Sequence, residues 1–247
     1  MLMTASLHHI WSMVNTQQIF VMTGLFATTF PANLNIFFRY LMSIAAFDLI
    51  ELTEFLDNYL GIEPTGPYNQ AFDLIGLDSL LFVNNMGTMT FVYIIYIILA
   101  FLTLILYSVR FHLNYKIHYL VIKMKENLFF KAIVTIIFET AQMIYLCFLT
   151  QFKDKNLIKE PSHLAHFGVS IFFLMFITLI PYYIMYMLRK YILNIGQKHL
   201  DKKFGSFFSN LALVKRGKWV LDQPTFFLVR RAVLAYSVTV GDFFFVG

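Results

Sequence analysis

Two long uncharged stretches constrain this chain more than any other feature of its sequence. Residues 87–109 and 165–188 are each more than 20 residues long and contain no Asp, Glu, Lys or Arg. About 20 helical residues, at a rise of about 1.5 Å each, cover the roughly 30 Å hydrocarbon core of a bilayer. A soluble protein would have to bury both stretches under a thick polar shell, but only 13% of the residues are charged. The two stretches therefore predict helices that cross a membrane.

Three further segments, residues 8–30, 128–150 and 225–247, are long enough to cross a bilayer although they contain polar residues. Polar side chains are tolerated in membrane helices where they face other helices and find partners there. The predicted fold class is therefore all-α, a single polytopic transmembrane helical bundle of about five spans. The last segment looks cut short, because its uncharged run 232–240, between Arg231 and Asp242, is too short to cross a bilayer. We expect the natural chain to continue beyond Gly247.

Basic residues are distributed unequally between the two sides of these spans. Four lie in segment 110–127 and eight in segment 189–224, whereas the opposite side contains four in total. Cytoplasmic loops carry the excess of Lys and Arg, so these two segments and the N-terminus are predicted to be cytoplasmic. The loop 31–86 is then extracytoplasmic. Its interrupted apolar runs, 34–50 and 71–83, predict short interfacial helices.

The expected partners follow from the same charge pattern. The lysine-rich stretch 198–218 is held between two spans, so we expect it to bind anionic lipid at the cytoplasmic face and not nucleic acid. The plasma membrane is the expected location. The single cysteine, Cys147, excludes an internal disulfide and a zinc site built from several cysteines.

Glu139 lies near the middle of the third predicted span, where an ionised carboxylate is costly unless it is paired or hydrated. Helical spacing places four residues in one polar stripe on this helix: Lys131, Thr135, Glu139 and Gln142. In one interpretation the stripe lines an ion or proton pathway. In the other, hydrogen bonds or a partner cation within the bundle satisfy the carboxyl group.

The adjacent residues Arg230 and Arg231, in the last span, are the expected charge partners of Glu139. Lys131 is about 12 Å from Glu139 along their shared helix, which is too far for direct pairing. We predict that spans three and five pack together, with one arginine turned toward Glu139 and the other toward lipid phosphate. In one alternative, both arginines only anchor the helix to lipid phosphates. In another, Asn or Gln side chains of the first span hydrogen-bond to Glu139 in place of an arginine. A voltage sensor would need basic residues at every third position, whereas these two are adjacent.

Enzymatic motifs are absent from the sequence, which contains no HExxH, GxSxG, phosphate loop or GxGxxG. His163 and His166 are three residues apart, but no nearby Cys or second His pair completes a metal site. We therefore predict a protein that is not an enzyme and has no catalytic residues, no metal site and no cofactor.

A series of short motifs resembles the multi-pass C-terminal membrane region of large ciliate surface proteins, which carry cysteine-rich or cadherin-like ectodomains. The motifs occur in the same order over nearly the whole chain: IWSMVN at 10–15, FPAN at 30–33, FDLI at 47–50, LIGLDS at 74–79, NMGT at 85–88, LFF at 128–130 followed by Glu139, and PTFFLVRR at 224–231. Those regions are in turn distantly similar to TRP and polycystin-like channels. The resemblance implies an ectodomain before this region and a pore-forming helix pair after it, and it implies no catalytic residues.

These observations together predict a non-enzymatic multi-pass membrane protein, the transmembrane module of a TRP-like surface protein, with a sensing or ion-conducting role. The alternatives are a structural or accessory subunit of a larger membrane assembly and a non-functional fragment of a longer surface protein. The expected protein partners are further copies of the chain, or the ectodomain and downstream spans that the resemblance implies.

Overall fold

The computed structural model describes residues 13, 16–25, 30–45, 65–109, 115–192 and 223–245. All regular secondary structure within these residues is helical, which confirms the predicted all-α class. Helix α1 comprises residues 16–24. The helices after it are α2 (Ala32–Ala45), α3 (Gln70–Ile75), α4 (Phe82–Ser108), α5 (Tyr115–Glu126), α6 (Ile133–Thr150), α7 (Pro161–Ile192) and α8 (Gln223–Phe245). A π-helical turn, Asn127–Ala132, joins α5 to α6, and a 3-10 turn, Gln151–Lys153, follows α6.

Among the described residues, three helices are long and apolar enough to cross a membrane. Their apolar segments are Met89–Ser108 in α4, Thr135–Lys153 in α6 and the turn after it, and Pro161–Tyr183 in α7. They overlap the second, third and fourth predicted spans. The apolar residues of the sequence are therefore concentrated in helices that are long enough to cross a membrane.

The predicted count of five spans stays a prediction. Of the first predicted span, 8–30, the structure describes only residues 13, 16–25 and 30. The last predicted span corresponds to α8, which is one continuous helix of 23 residues. Its sequence contains Arg230, Arg231 and Asp242, and it is not among the helices apolar enough to cross a membrane by composition alone.

The described residues belong to two compact units. The first comprises the described parts of Met1–Phe91, Glu139–Phe176 and Leu228–Gly247. Its interior is apolar: Val21 of α1, Ile144 of α6 and Ala235 of α8 are all fully buried. Helices from distant parts of the sequence therefore bury their side chains in this unit.

The second unit comprises the described parts of Val92–Phe138 and Ile177–Phe227. The Tyr96 hydroxyl donates to the Leu128 carbonyl at 3.3 Å, so α4 is hydrogen-bonded to the π-helical turn. The Phe138 and Phe227 rings meet edge to face with their centroids 5.5 Å apart. Edge-to-face pairs at this separation are favourable beyond the area that they bury.

Helix α2 packs against α1 where Gly24 faces Phe38. A Cβ atom added at Gly24 would lie 3.0 Å from Cγ of Phe38, so the glycine permits a close approach. The Phe38 ring also lies 5.6 Å from Phe20 and 5.4 Å from Phe30, centroid to centroid. Both α2 and α3 fall in the loop for which interfacial helices were predicted. Their position at a membrane surface remains a prediction.

Helix α3 has capping residues at both ends. The Asn69 side chain accepts a hydrogen bond from the Phe72 N–H at 2.9 Å, which satisfies one of the unpaired donors at the helix start. At the other end Gly76 adopts φ = 95°, and the Leu77 N–H donates to the Phe72 carbonyl at 2.9 Å. This is the Schellman arrangement, which favours glycine at the left-handed position. Local sequence therefore defines both ends of this short helix.

We expect Gly76→Ala to lower the free energy of unfolding by about 1 kcal/mol, because alanine is strained at positive φ. A Cβ atom there would lie 3.7 Å from the Arg39 side chain, so the cost comes from the backbone and not from a clash. Gly66→Ala is the matched control, since a Cβ atom at Gly66 meets nothing within 4 Å. Thermal unfolding in detergent measures both variants, and equal stability of the two would contradict this account.

Candidate functional site

Helix α6 is the most buried of the three helices that are apolar enough to cross a membrane. In its apolar segment 61% of the residues are buried, compared with 17% in α4 and 28% in α7. Among the buried polar residues of this segment, Glu139 is 6% exposed and Gln142 is fully buried. Buried polar groups at membrane depth need hydrogen-bond partners within the protein. The packing around these two residues shows where those partners come from.

Gln18 of α1 forms a reciprocal pair of hydrogen bonds with α6. Its Nε2 donates to the Glu139 backbone carbonyl at 2.9 Å, and the Gln142 Nε2 donates to the Gln18 backbone carbonyl at 3.4 Å. Gln18 is only 1% exposed. A helical carbonyl oxygen has a second lone pair that can accept such a side-chain donor. These bonds fix the register of α1 against α6.

Arg231 of α8 reaches the same point on α6. Its Nη1 donates to the Glu139 carbonyl at 3.4 Å, and the residue is only 1% exposed. The neighbouring Arg230 is exposed. Arg231 is therefore the arginine that contacts the Glu139 backbone. The predicted pairing of an arginine with the Glu139 carboxylate, and the predicted contact of the other arginine with lipid phosphate, stay predictions.

The Arg231 guanidinium and the Glu139 carboxyl group belong to residues that are both buried in this part of the first unit. Charges removed from water are retained only where an opposite charge and hydrogen bonds offset the loss of hydration. We call the set Gln18, Glu139, Gln142 and Arg231 the buried polar cluster. It joins α1, α6 and α8 within the first unit.

Of the other two members of the predicted stripe, Thr135 is partly buried and lies in the second unit. The backbone of Lys131 lies in the π-helical turn, and its side chain is outside the part of the chain that the structure describes. Gln18 belongs to the first predicted span, whose Asn and Gln side chains were the alternative partners of Glu139. Helical periodicity relates residues on one helix, but it does not identify which residue of another helix donates.

A second polar cluster surrounds His163 at the start of α7. Its Nδ1 lies 2.6 Å from Oδ2 of Asp154, and its Nε2 lies 3.1 Å from Oε2 of Glu160. His166, one turn later, accepts a hydrogen bond from the Val83 N–H at Nδ1, at 3.4 Å. Both rings thus make contacts within the first unit. In the described part of the chain, no group of three or more His, Cys, Asp or Glu residues could hold a metal ion.

Tyr68 connects the second cluster to α8. The Lys153 ammonium group donates to the Tyr68 carbonyl and lies 4.3 Å above the centre of its ring. The Tyr68 hydroxyl donates to the Thr239 carbonyl at 2.6 Å. A cation over an aromatic ring adds a favourable electrostatic contact. The loop before α3 is therefore attached to the ends of two long helices.

The described residues define an all-helical fold in which three helices are apolar enough to span a membrane and a charged residue is buried between helices. Comparisons with known protein families, with curated proteins and with solved structures find no match.

Proposed function

We propose that this chain is a non-enzymatic transmembrane module with a sensing or ion-conducting role, as in the TRP-like surface proteins that its motifs resemble. The observation that carries the proposal is the burial of Glu139 and Arg231 against each other's helices, at 6% and 1% exposure. Ionisable residues inside a membrane protein are costly. They typically mark ion pathways, proton relays or sensors.

Sensing is the role that this geometry supports best. The two opposite charges lie on different helices, α6 and α8, so a movement of one helix past the other changes their interaction. Moving one elementary charge through the membrane potential is worth about 2.3 kcal/mol per 100 mV. A displaced charge of this kind would couple the arrangement of α6 and α8 to voltage, or to any stimulus that shifts either helix.

Voltage-clamp recording of the full chain, expressed in cells with a low background current, tests this role. We expect a gating or ionic current whose voltage dependence shifts by tens of millivolts, about the equivalent of 1 kcal/mol, in Glu139→Gln. The cause is the lost attraction between the two helices. Arg230→Gln is the matched control, because it removes an exposed charge next to the buried one. Surface labelling must show equal amounts of each variant in the membrane.

The second candidate function is a structural or accessory subunit of a larger membrane assembly. It is favoured by α4, whose large apolar side chains are mostly exposed, including Ile97 at 57% and Phe101 at 62%. Such a surface suits lipid or the helices of a partner. A wild-type chain that reaches the cell surface but carries neither gating nor ionic current would contradict the sensing and conducting roles and support this one.

We also propose that α8 is a membrane span with Arg230 at its cytoplasmic side, and that α1 belongs to a further span. The support for α8 is the burial of Arg231, since a charged side chain covered by α6 does not have to meet lipid. The bundle then has the five spans and the cytoplasmic N-terminus that the sequence predicted. A plasma-membrane location fits the same proposal.

A further inference from the structure

The connection between α6 and α7 combines exposed cations with two acids, of which Asp154 has a buried side chain and Glu160 a half-exposed one. We call residues 151–160 the α6–α7 turn. Oδ2 of Asp154 lies 2.6 Å from Nδ1 of His163. Oδ1 of the same carboxylate accepts a hydrogen bond from the Asn156 N–H at 2.8 Å. The Glu160 carboxylate lies on the other ring nitrogen of His163 at 3.1 Å. Both acids of the turn are thus held by the same histidine.

The basic residues of the turn have a different arrangement. Lys153, Lys155 and Lys159 are all exposed, and Lys153 also contacts Tyr68. Between Lys155 and Lys159 lies Ile158, which at 83% has the largest exposed fraction of any large apolar residue in the described part of the chain. The outer surface of the turn therefore presents an apolar side chain flanked by two cations.

The length of the turn limits what this surface can meet. Only residues 154–160 separate the apolar segments Thr135–Lys153 and Pro161–Tyr183. Because a connection of this length must lead back to the next helix, it can extend at most about 12 Å beyond the helix ends. If α6 and α7 cross the membrane, the surface therefore lies within the headgroup layer. An apolar side chain flanked by lysines is the pattern with which peripheral segments bind that layer.

We propose that the α6–α7 turn is a docking surface for anionic phospholipid headgroups, with Ile158 inserted among the acyl chains and Lys155 and Lys159 on the phosphates. His163 has a positioning role, because it holds the Asp154 carboxylate in a buried position, away from the headgroups that this charge would repel. This proposal rests on the proposed transmembrane arrangement of α6 and α7. It adds a lipid-binding surface at the end of the bundle opposite the predicted cytoplasmic basic segments.

The test uses the full chain in nanodiscs, with an environment-sensitive fluorophore on Ile158→Cys in a Cys147→Ala background. We expect spin-labelled phosphatidylserine to quench this probe more strongly than spin-labelled phosphatidylcholine, and aqueous iodide to quench it weakly. Lys155→Gln with Lys159→Gln should remove most of the preference, at about fivefold in relative affinity per lysine. Lys155→Arg with Lys159→Arg keeps both charges and should retain it. His163→Gln should weaken it.

A second probe separates the failure of this proposal from the failure of the transmembrane arrangement. Ile97→Cys places the fluorophore on the exposed face of α4. Quenching by lipid at position 97 together with iodide quenching at position 158 would overturn the docking surface alone. An Ile158 probe that responds equally to both spin-labelled lipids would also overturn it. Iodide quenching at both positions would overturn the membrane arrangement.

Discussion

Arg231→Met should lower the free energy of unfolding of the full chain by about 3 to 5 kcal/mol, because it leaves the buried Glu139 carboxylate without its cation. Arg231 is 1% exposed and donates to the Glu139 carbonyl, so both a charge interaction and a hydrogen bond are lost. Methionine keeps an unbranched apolar side chain in the space of the arginine. Unfolding of the purified protein in mixed micelles, followed by circular dichroism, measures the change.

Arg230→Met is the matched control, since it removes the same type of side chain from the next position, which is exposed. Substitutions at exposed positions usually change stability by no more than about 0.5 kcal/mol. A double variant, Arg231→Met with Glu139→Gln, tests the interaction itself. We expect the double variant to lose less unfolding free energy than the sum of the losses of the two single variants, because neither charge is then buried without the other. Strict additivity would mean that the two side chains do not interact.

Ile144→Ala should destabilise the protein by about 2 to 5 kcal/mol, which is the usual cost of a cavity at a fully buried aliphatic residue. Ile144 lies on α6 in the first unit and is fully buried. Ile97→Ala makes the same chemical change on α4, where the isoleucine is 57% exposed. Its expected effect is within about 0.5 kcal/mol, because lipid or detergent fills the space.

The same unfolding measurement compares the two isoleucine variants. A large effect at Ile97 would mean that a protein surface covers α4, which would favour the accessory-subunit interpretation. A small effect at Ile144 would contradict the buried position of α6. The pair therefore tests which of the two helices forms the interior and which faces the lipid.

Part of the buried polar cluster could be predicted from single helices. Glu139 was identified because a carboxylate stands in an otherwise apolar span, and Gln142 because it lies on the same helix face. The division of roles between Arg230 and Arg231 was predicted only as one inward and one outward side chain. Helical geometry gives adjacent residues different directions, but only the packing of α8 against α6 decides which of the two is buried.

The partners of His163 illustrate a second limit. The sequence showed two histidines three residues apart near the start of a span, which led to the question of a metal site. In the structure, Asp154 and Glu160 lie on the two ring nitrogens. Both acids are within ten residues of His163, so their proximity in sequence was visible. The contact of these two acids with His163 depends on the path of the backbone through the α6–α7 turn, and the spacing of the residues in the sequence does not predict that path.

The sequence by itself determined the helical class, the three apolar helices and the caps of α3, because these depend on composition and on residues close together in the chain. The tertiary structure alone decided that Gln18 and Arg231 both donate to the Glu139 carbonyl, across 121 and 92 residues of sequence. The physical reason is that a backbone carbonyl is the same in every residue. Packing between distant helices therefore decides which side chains donate to a given carbonyl, and no local residue pattern encodes that contact.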